Sequence, residues 1–296
     1  MPTAGKTIRE AYVEASSFLA AQGVAEAASC VELLLQHLLG WSRTELLLRW
    51  QEPLPVELAD AWRQLVERKA AGEPVQYITG EQEFYGLPFA VNGAVLIPRP
   101  ETELLVEALL HEGSRLFPQG APLLADVGTG SGAIPVTIAH ARPAWRVAAS
   151  DISAAALEMA RLNAQRHGVA ARVEWLEGDL LEPYIERRLA PDILVSNPPY
   201  IPDADLPALM PEVRLYEPHT ALFGGVEGLD LYRRMILQLP LLPRIPTMVG
   251  FEVGIRQAEA VAAMLRDAAD WDEIRFVPDL QGIDRHVIAI RVREVT

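Results

Sequence analysis

Residues 123–132 read Leu-Leu-Ala-Asp-Val-Gly-Thr-Gly-Ser-Gly, an apolar run that leads straight into a glycine-rich loop. The apolar run predicts a buried β-strand, and the residues from Ser131 to Ala141 predict a helix. Glycines at such a junction let the backbone turn sharply and let a ligand approach without a Cβ in the way. The stretch therefore predicts an α/β fold with a ligand at the carboxyl end of this strand.

The chain on either side alternates strand and helix patterns, which is typical of a mainly parallel, Rossmann-like sheet with helices on both faces. A helix is expected from about Ser153 to His167. No helix separates the last two strands, so we expect them to pair antiparallel as a closing hairpin. The seven predicted strands are 123–127, 146–150, 172–176, 192–195, 247–252, 273–277 and 286–292.

The glycine loop also indicates which cofactor binds. Its Gly-x-Gly-x-Gly spacing, led by Asp126, differs from the Gly-x-Gly-x-x-Gly spacing of dinucleotide sites. An acidic lead residue suits a ligand with a cationic amino-acid end, such as S-adenosylmethionine. Asp151 ends the next strand, where a carboxylate accepts ribose hydroxyls, and Asp179 follows the third strand. Either aspartate alone would be an ordinary helix N-cap. The predicted cofactor residues are Asp126, Gly128, Thr129, Gly130, Ser131, Gly132, Asp151, Asp179, Leu180 and Asn197.

Ser196-Asn197-Pro198-Pro199-Tyr200 follows the fourth strand at the same sheet edge. Two successive prolines remove two backbone donors and leave carbonyls that only accept, and Asn197 adds a side-chain acceptor. This loop suits a planar NH₂ group, against which Tyr200 is expected to pack its ring. We take Asn197, Pro198, Pro199 and Tyr200 as the candidate catalytic residues. No metal cluster is evident, and methyl transfer needs none.

The first 71 residues predict a small helical bundle. Residues 7–10 and 42–45 both fit a capping box, in which a hydroxyl and a carboxylate satisfy backbone donors at a helix start. A fourth helix is predicted from about Val56 to Ala71. Apolar residues then alternate from Phe84 to Ile97 around two glycine turns, which predicts a β-hairpin.

These patterns divide the chain into three parts. We expect an N-terminal helical domain at 1–82, a β-hairpin linker at 83–98 and the α/β domain at 99–296.

Composition narrows the class of protein. The chain of 296 residues has a net charge of −14 and one cysteine, Cys30, so no intramolecular disulfide forms and a buried thiol is expected. Neither the first 80 residues nor the remainder is net basic, which disfavours direct nucleic-acid binding. With no apolar run long enough for a bilayer, we expect a soluble, cytoplasmic protein without membrane association.

Several stretches are similar to the protein-glutamine methyltransferases that act on peptide chain release factors (the PrmC/HemK family). Asn-Pro-Pro-Tyr after the fourth strand resembles amino-methyltransferases that act on adenine, cytosine or glutamine amides. Narrower matches favour the glutamine enzymes. They are residues 72–80, Glu83-Phe84-Tyr85, residues 96–103 (Leu-Ile-Pro-Arg-Pro-Glu-Thr-Glu), residues 225–229 and Phe251-Glu252-Val253-Gly254. Pro243-Arg244-Ile245-Pro246 departs from the family, which usually has glycines there.

The resemblance implies a seven-stranded S-adenosylmethionine-dependent methyltransferase domain, with S-adenosylhomocysteine as the product. It implies that the methyl acceptor is the glutamine of a Gly-Gly-Gln motif in release factors. The helical domain would then be a docking surface for the release factor, although a purely stabilising role stays open. Arg99 and Glu101 are weaker candidates for shaping the site. The alternatives are a nucleic-acid amino-methyltransferase and a non-catalytic binding module.

Overall fold

The structure is a computed structural model that describes residues 5–292. Two compact units make up the chain. One runs up to Glu81 and includes Met210–Tyr216, and the other comprises Gln82–Leu209 with the residues from Glu217 onward.

The first unit is a helical bundle. Both predicted capping boxes are confirmed, with Thr7 and Ser42 as the N-caps. The predicted fourth helix begins later than expected, because residues 56–58 form a single 3₁₀ turn before it. Cys30 is buried as expected, and burial raises the pKa of its thiol. The helices are α1 (Ile8–Ala21), α2 (Ala27–Leu39), α3 (Arg43–Leu48), α4 (Ala59–Ala70) and α5 (Val75–Thr79).

A distant segment, Met210–Tyr216, belongs to this bundle through two polar contacts. Lys69 is 3% exposed, and its ammonium lies 2.6 Å from the Glu212 carboxylate. The Tyr216 hydroxyl donates to the carbonyl of Ala71 at 3.1 Å. A buried ammonium needs a partner, so Glu212 gives this segment a specific attachment to α4.

The second unit opens with a short hairpin of β1 (Glu81–Phe84) and β2 (Leu87–Ala90). Its two turn residues, Tyr85 and Gly86, both have positive φ, the conformation that two-residue hairpins with native twist require. The predicted hairpin over 84–97 was too long and began too late. Residues 95–97 form no strand, although Val95 and Ile97 are buried.

The rest of the second unit is a seven-stranded sheet in the order β5-β4-β3-β6-β7-β9-β8. Strands β3 to β7 run parallel to one another, while β9 runs antiparallel to both β7 and β8. The β8–β9 pairing confirms the closing hairpin that the missing helix predicted. The strands are β3 (Leu123–Val127), β4 (Arg146–Asp151), β5 (Val173–Glu177), β6 (Ile193–Ser196), β7 (Met248–Glu252), β8 (Glu273–Pro278) and β9 (Asp284–Ile290).

Helices cover both faces of the sheet. One hydrophobic core lies under α6, α7 and α8 and the other under α9, α11 and α12. These helices are α6 (Pro100–Leu116), α7 (Ala133–Ala141), α8 (Ala154–Arg166), α9 (Glu182–Glu186), α11 (Asp230–Gln238) and α12 (Ala258–Ala268), and α10 (Pro211–Tyr216) is the segment attached to the first unit. No helix within residues 5–292 is long and apolar enough to cross a membrane.

The strand order reverses between β3 and β6, because the chain moves outward to β4 and β5 and then returns to the other side of β3. In open parallel sheets, ligands bind at the carboxyl ends of the strands beside such a reversal. The fold therefore predicts a ligand site at the loops after Val127, Asp151 and Ser196.

Candidate active site

A cavity of about 360 Å³ lies at this edge of the sheet, within the second unit. That volume is in the usual range for small-molecule sites. Its walls include the loops after β3, β4, β5 and β6. Of the predicted site residues, those on the wall are Gly128, Thr129, Gly130, Ser131, Asp151, Asp179, Leu180, Asn197, Pro198 and Pro199.

The glycine loop is shaped for a close ligand. Gly128 and Gly130 have φ of +74° and +55°, and a Cβ added at either would meet nothing within 4 Å. Since both line the cavity, side chains there would project into its open space. The amides of Gly128 and Thr129 each donate to the Ser150 carbonyl at 2.9 Å, which ties the loop to β4.

Gly132 does not line the cavity. A Cβ at position 132 would lie 3.0 Å from the Cβ of Ala160 in α8, so close packing against that helix accounts for a glycine at this position. A third glycine with this packing role is also found in dinucleotide-binding loops.

Asp126 lies behind the loop, at 1% exposure, and is not part of the cavity wall. Within the described part of the chain, neither of its carboxylate oxygens has a hydrogen-bond partner. Burial, with a smaller effect of the Asp151 carboxylate, raises the pKa of Asp126 to about 7, although the neighbouring Thr129 hydroxyl acts in the opposite direction. An unpartnered buried carboxylate is costly, and such groups mark functional sites more often than chance.

Asp151 is held rigidly at the end of β4. Its two oxygens accept from the amides of Gly130 at 2.8 Å and Ser153 at 2.9 Å. Burial raises its pKa, and these hydrogen bonds oppose that effect. Each carboxylate oxygen keeps a second lone pair, so Asp151 has acceptor capacity left for ligand hydroxyls.

Asp179 and Leu180 form a further part of the cavity wall after β5. Asp179 forms an ion pair with Arg234, a residue of α11 that also lines the cavity. Leu180 has a φ of +50°, an uncommon conformation for a residue with a side chain. Sequence reasoning did not find Arg234, since nothing in α11 distinguishes it from other surface arginines.

The Asn197 side chain is held by a chain of hydrogen bonds. Its amide nitrogen donates to the Thr102 hydroxyl at 3.1 Å, and that hydroxyl donates to the Glu252 carboxylate at 2.6 Å. Glu252 is fully buried, which raises its pKa, while Thr102 and Arg285 act in the opposite direction. The Thr102 side chain also lines the cavity.

Tyr200 is not among the residues of the cavity wall. Its hydroxyl accepts from Arg285 at 2.9 Å and lies 3.3 Å from the Glu252 carboxylate, and burial raises its pKa. Its carbonyl accepts from Gln257 at 2.9 Å. These contacts give Tyr200 a part in holding the loop, and its expected stacking on a substrate stays a prediction.

Two further residues of the wall come from the segment before α6 and the start of that helix. Arg99 was expected only as a weak candidate, and it pairs with the buried carboxylate of Glu217. Thr102 was not singled out at all. Its hydrogen-bond partner Glu252 could have been noticed in the sequence, because it is an acidic residue at the end of the otherwise apolar strand β7.

The sheet order and the cavity over its carboxyl edge define the class: this is the Rossmann-like fold of S-adenosylmethionine-dependent methyltransferases. A solved structure of the hMettl16 catalytic domain with a MAT2A 3'UTR hairpin superposes with a TM-score of 0.57 at 16% identity, covering 78% of this chain and 84% of that one. The N-terminal domain of human METTL16 in complex with SAH gives 0.50 at 14% identity, over 77% and 83%. At such identities the likeness shows the fold alone.

Sequence comparison gives the family. Profiles described as the PrmC N-terminal domain and the methyltransferase small domain match residues 10–80 and 100–209. The release factor glutamine methyltransferase of Moorella thermoacetica is 45% identical, over 97% of this chain and all of that protein. That of Bacillus subtilis is 42% identical, over 96% and 98%. The chain belongs to the release factor glutamine methyltransferase family.

Proposed function

We propose that this protein transfers a methyl group from S-adenosylmethionine to the side-chain amide nitrogen of a glutamine in peptide chain release factors, within their Gly-Gly-Gln motif. The single observation that carries the proposal is the fixed Asn197 amide in a loop whose prolines, Pro198 and Pro199, have no N–H to donate. An amide NH₂ has two hydrogens to give and needs acceptors. The family relationship favours glutamine over a nucleobase.

The residues around the cavity suit this cofactor. Open space beside Gly128 and Gly130 admits a ligand close to the backbone. Asp151 has spare acceptor capacity for ribose hydroxyls, and the unpartnered charge of Asp126 favours a cationic ligand. S-adenosylmethionine, when bound, would supply an electrophilic methyl group on a sulfonium and would leave as S-adenosylhomocysteine, while the methylated amide nitrogen would release one proton to solvent.

The protein's part in the reaction is to orient a weak nucleophile. An amide nitrogen reacts poorly because its lone pair is delocalised into the carbonyl. Acceptance of its two hydrogens by Asn197 Oδ1 and by the Pro198 carbonyl would aim the nitrogen at the methyl group. Those bonds would also strengthen as positive charge develops on nitrogen. Positioning of this kind supplies on the order of 7–11 kcal/mol of barrier reduction in favourable cases.

The test is mass spectrometry of a purified release factor incubated with this protein and S-adenosylmethionine. We expect a gain of one methyl group on the Gly-Gly-Gln glutamine and none on a release factor with glutamate at that position. Asn197→Ala should lower the rate by about 100-fold or more, as for loss of one transition-state hydrogen bond. Cofactor binding, measured by calorimetry, should be retained at least in part, since the other predicted cofactor residues are unchanged in that variant.

Three results would count against the proposal. An unmodified release factor, with cofactor binding intact, would remove the substrate assignment. Methylation of an oligonucleotide instead would favour the nucleic-acid alternative. Absence of cofactor binding would favour a non-catalytic module.

A further inference from the structure

Thr102 and Glu252 follow Asn197 as successive members of one hydrogen-bond chain. Thr102 is 5% exposed and Glu252 is 0% exposed, so water does not replace either partner freely. The two distances are 3.1 Å from Asn197 Nδ2 to Thr102 Oγ1 and 2.6 Å from Thr102 Oγ1 to Glu252 Oε2. These three residues come from the loop after β6, from α6 and from the end of β7.

The direction of this chain follows from counting hydrogens. An ionised carboxylate only accepts, and a threonine hydroxyl has a single hydrogen to donate. That hydrogen is engaged by Glu252, so the Thr102 oxygen is left only as an acceptor. The Asn197 group facing it must therefore be the NH₂. A flipped amide would place two oxygen acceptors against each other with no hydrogen between them, which is unfavourable in a buried site.

Further contacts hold Glu252 as the accepting end. The Tyr200 hydroxyl lies 3.3 Å from its Oε1, and the Arg285 guanidinium lies 3.8 Å from the same oxygen. Arg285 also donates to the Tyr200 hydroxyl at 2.9 Å, which leaves the tyrosine hydrogen free to point at Glu252. The two donors and the cation favour the charged form of Glu252 and oppose the effect of burial, which raises its pKa.

We infer that Thr102 is a positioning residue, which, held by Glu252, fixes the Asn197 amide with its oxygen toward the cavity and so selects an NH₂ substrate. This inference rests on the proposed function, since it explains how the loop tells an amide from a carboxylate. A substrate with oxygen in place of NH₂ would face acceptors only. Without Thr102, Asn197 could present either its oxygen or its nitrogen.

The test compares two substitutions of similar size with opposite chemistry. Thr102→Val keeps the branched shape and removes the hydroxyl, while Thr102→Ser keeps the hydroxyl and removes the methyl. We expect Thr102→Val to lower kcat by about 10- to 100-fold, the range for outer partners of a functional side chain. Its KM for the release factor and its Kd for S-adenosylmethionine should stay within about 2-fold, because the hydroxyl acts through Asn197. Thr102→Ser should restore most of the turnover.

A second readout does not depend on activity. The chain has three asparagines, Asn92, Asn163 and Asn197, so selective ¹⁵N labelling gives three side-chain NH₂ pairs that single variants assign. The Asn197 pair should exchange slowly with water in the wild type and in Thr102→Ser. In Thr102→Val its exchange should accelerate by about 10-fold or more, while the Asn163 pair stays unchanged.

The outcomes separate this inference from the proposed function. An inactive wild type whose Asn197 pair is protected through Thr102 would retain the hydrogen-bond chain and refute the activity. An active Thr102→Val with unchanged kcat would overturn the positioning role. Equal losses in Thr102→Val and Thr102→Ser would assign Thr102 a packing role. A loss confined to cofactor binding would place its hydroxyl against the cofactor, and either result would overturn the positioning role.

Discussion

Replacement of Asp126 by asparagine should stabilise the protein while weakening its cofactor site. The carboxylate is 1% exposed and has no hydrogen-bond partner among the described residues, and its pKa is raised to about 7 by burial. The neutral form therefore predominates in the folded chain below about pH 7. The substituted amide would have nearly the same shape and no charge to bury, so the penalty for ionisation disappears in the variant.

The size of the effect follows from proton linkage. The pKa rises from 3.8 to about 7, which corresponds to about 4 kcal/mol at about 1.36 kcal/mol per pH unit. The raised pKa means that this group's contribution to stability is fully present below pH 3.8 and is lost as the pH rises to about 7. Asp126→Asn lacks this loss. The Tm difference between the variant and the wild type should therefore increase from pH 3.8 to about 7 and then stay constant, at on the order of 8 °C.

The same charge should favour a cationic ligand. At pH 6 about one-tenth of Asp126 is ionised and at pH 8 about nine-tenths, given a pKa of about 7. If only the ionised form binds S-adenosylmethionine well, the affinity should rise about 10-fold between these pH values. Binding near pH 7 should release about half a proton. Asp126→Asn should bind more weakly at pH 8 and with little dependence on pH.

Thermal unfolding from pH 5 to 8.5 and calorimetry in buffers of different ionisation enthalpy measure both effects. Asp192→Asn is a matched control, since Asp192 has partners in the Leu123 amide and the Arg244 guanidinium and should lose stability on substitution. The reasoning would be refuted by an Asp126→Asn variant that is no more stable than the wild type at pH 8. Unchanged cofactor affinity in that variant would refute the functional half alone.

Three glycine variants give two further predictions and a control. Gly130→Ala should weaken S-adenosylmethionine binding by roughly 10-fold or more, because its methyl group would occupy the cofactor's space. Gly168→Ala is the control, since Gly168 also has a positive φ (+68°, against +55° for Gly130) but lies outside the cavity, and this variant should bind the cofactor normally. Gly113→Ala should destabilise the protein by about 1–3 kcal/mol without altering cofactor affinity, because its new methyl group would overlap the Trp145 ring. Equal binding by the first two variants, or an unchanged denaturation midpoint for the third, would contradict these expectations.

The sheet could be predicted from the sequence because its central strands β3, β4, β6 and β7 are short, mainly apolar runs that end at a turn or an acidic residue. The family could be predicted from motifs such as residues 96–103, and the comparisons confirm it. The predicted hairpin was wrong in extent because buried apolar residues at 95 and 97 alternate like a strand. Alternation of apolar and polar residues indicates that one side of a segment is buried, but it does not show that the segment pairs with another strand.

What the sequence could not supply is the set of contacts between distant residues. Thr102 lies 95 residues from Asn197 and 150 from Glu252 in the sequence, and the motifs that contain these residues do not show that they are in contact. The attachment of residues 210–216 to the helical unit depends in the same way on Lys69 and Glu212, 143 residues apart. Local patterns carry no information about such pairs.

The site's acceptors explain why an amide and a cation would share one cavity. Pro198 and Pro199 lack donors, Asn197 is oriented by Thr102, and Asp126 has no partner among the described residues. These acceptors would repel the oxygens of a carboxylate substrate, whereas an amide NH₂ would donate its two hydrogens to them. The buried acid opposes folding, yet a neutral residue at position 126 would leave only the carboxylates of Asp151 and Asp179 as negative charges for the proposed cationic cofactor. The same polarity thus favours the cofactor that donates the methyl group and the nitrogen that receives it.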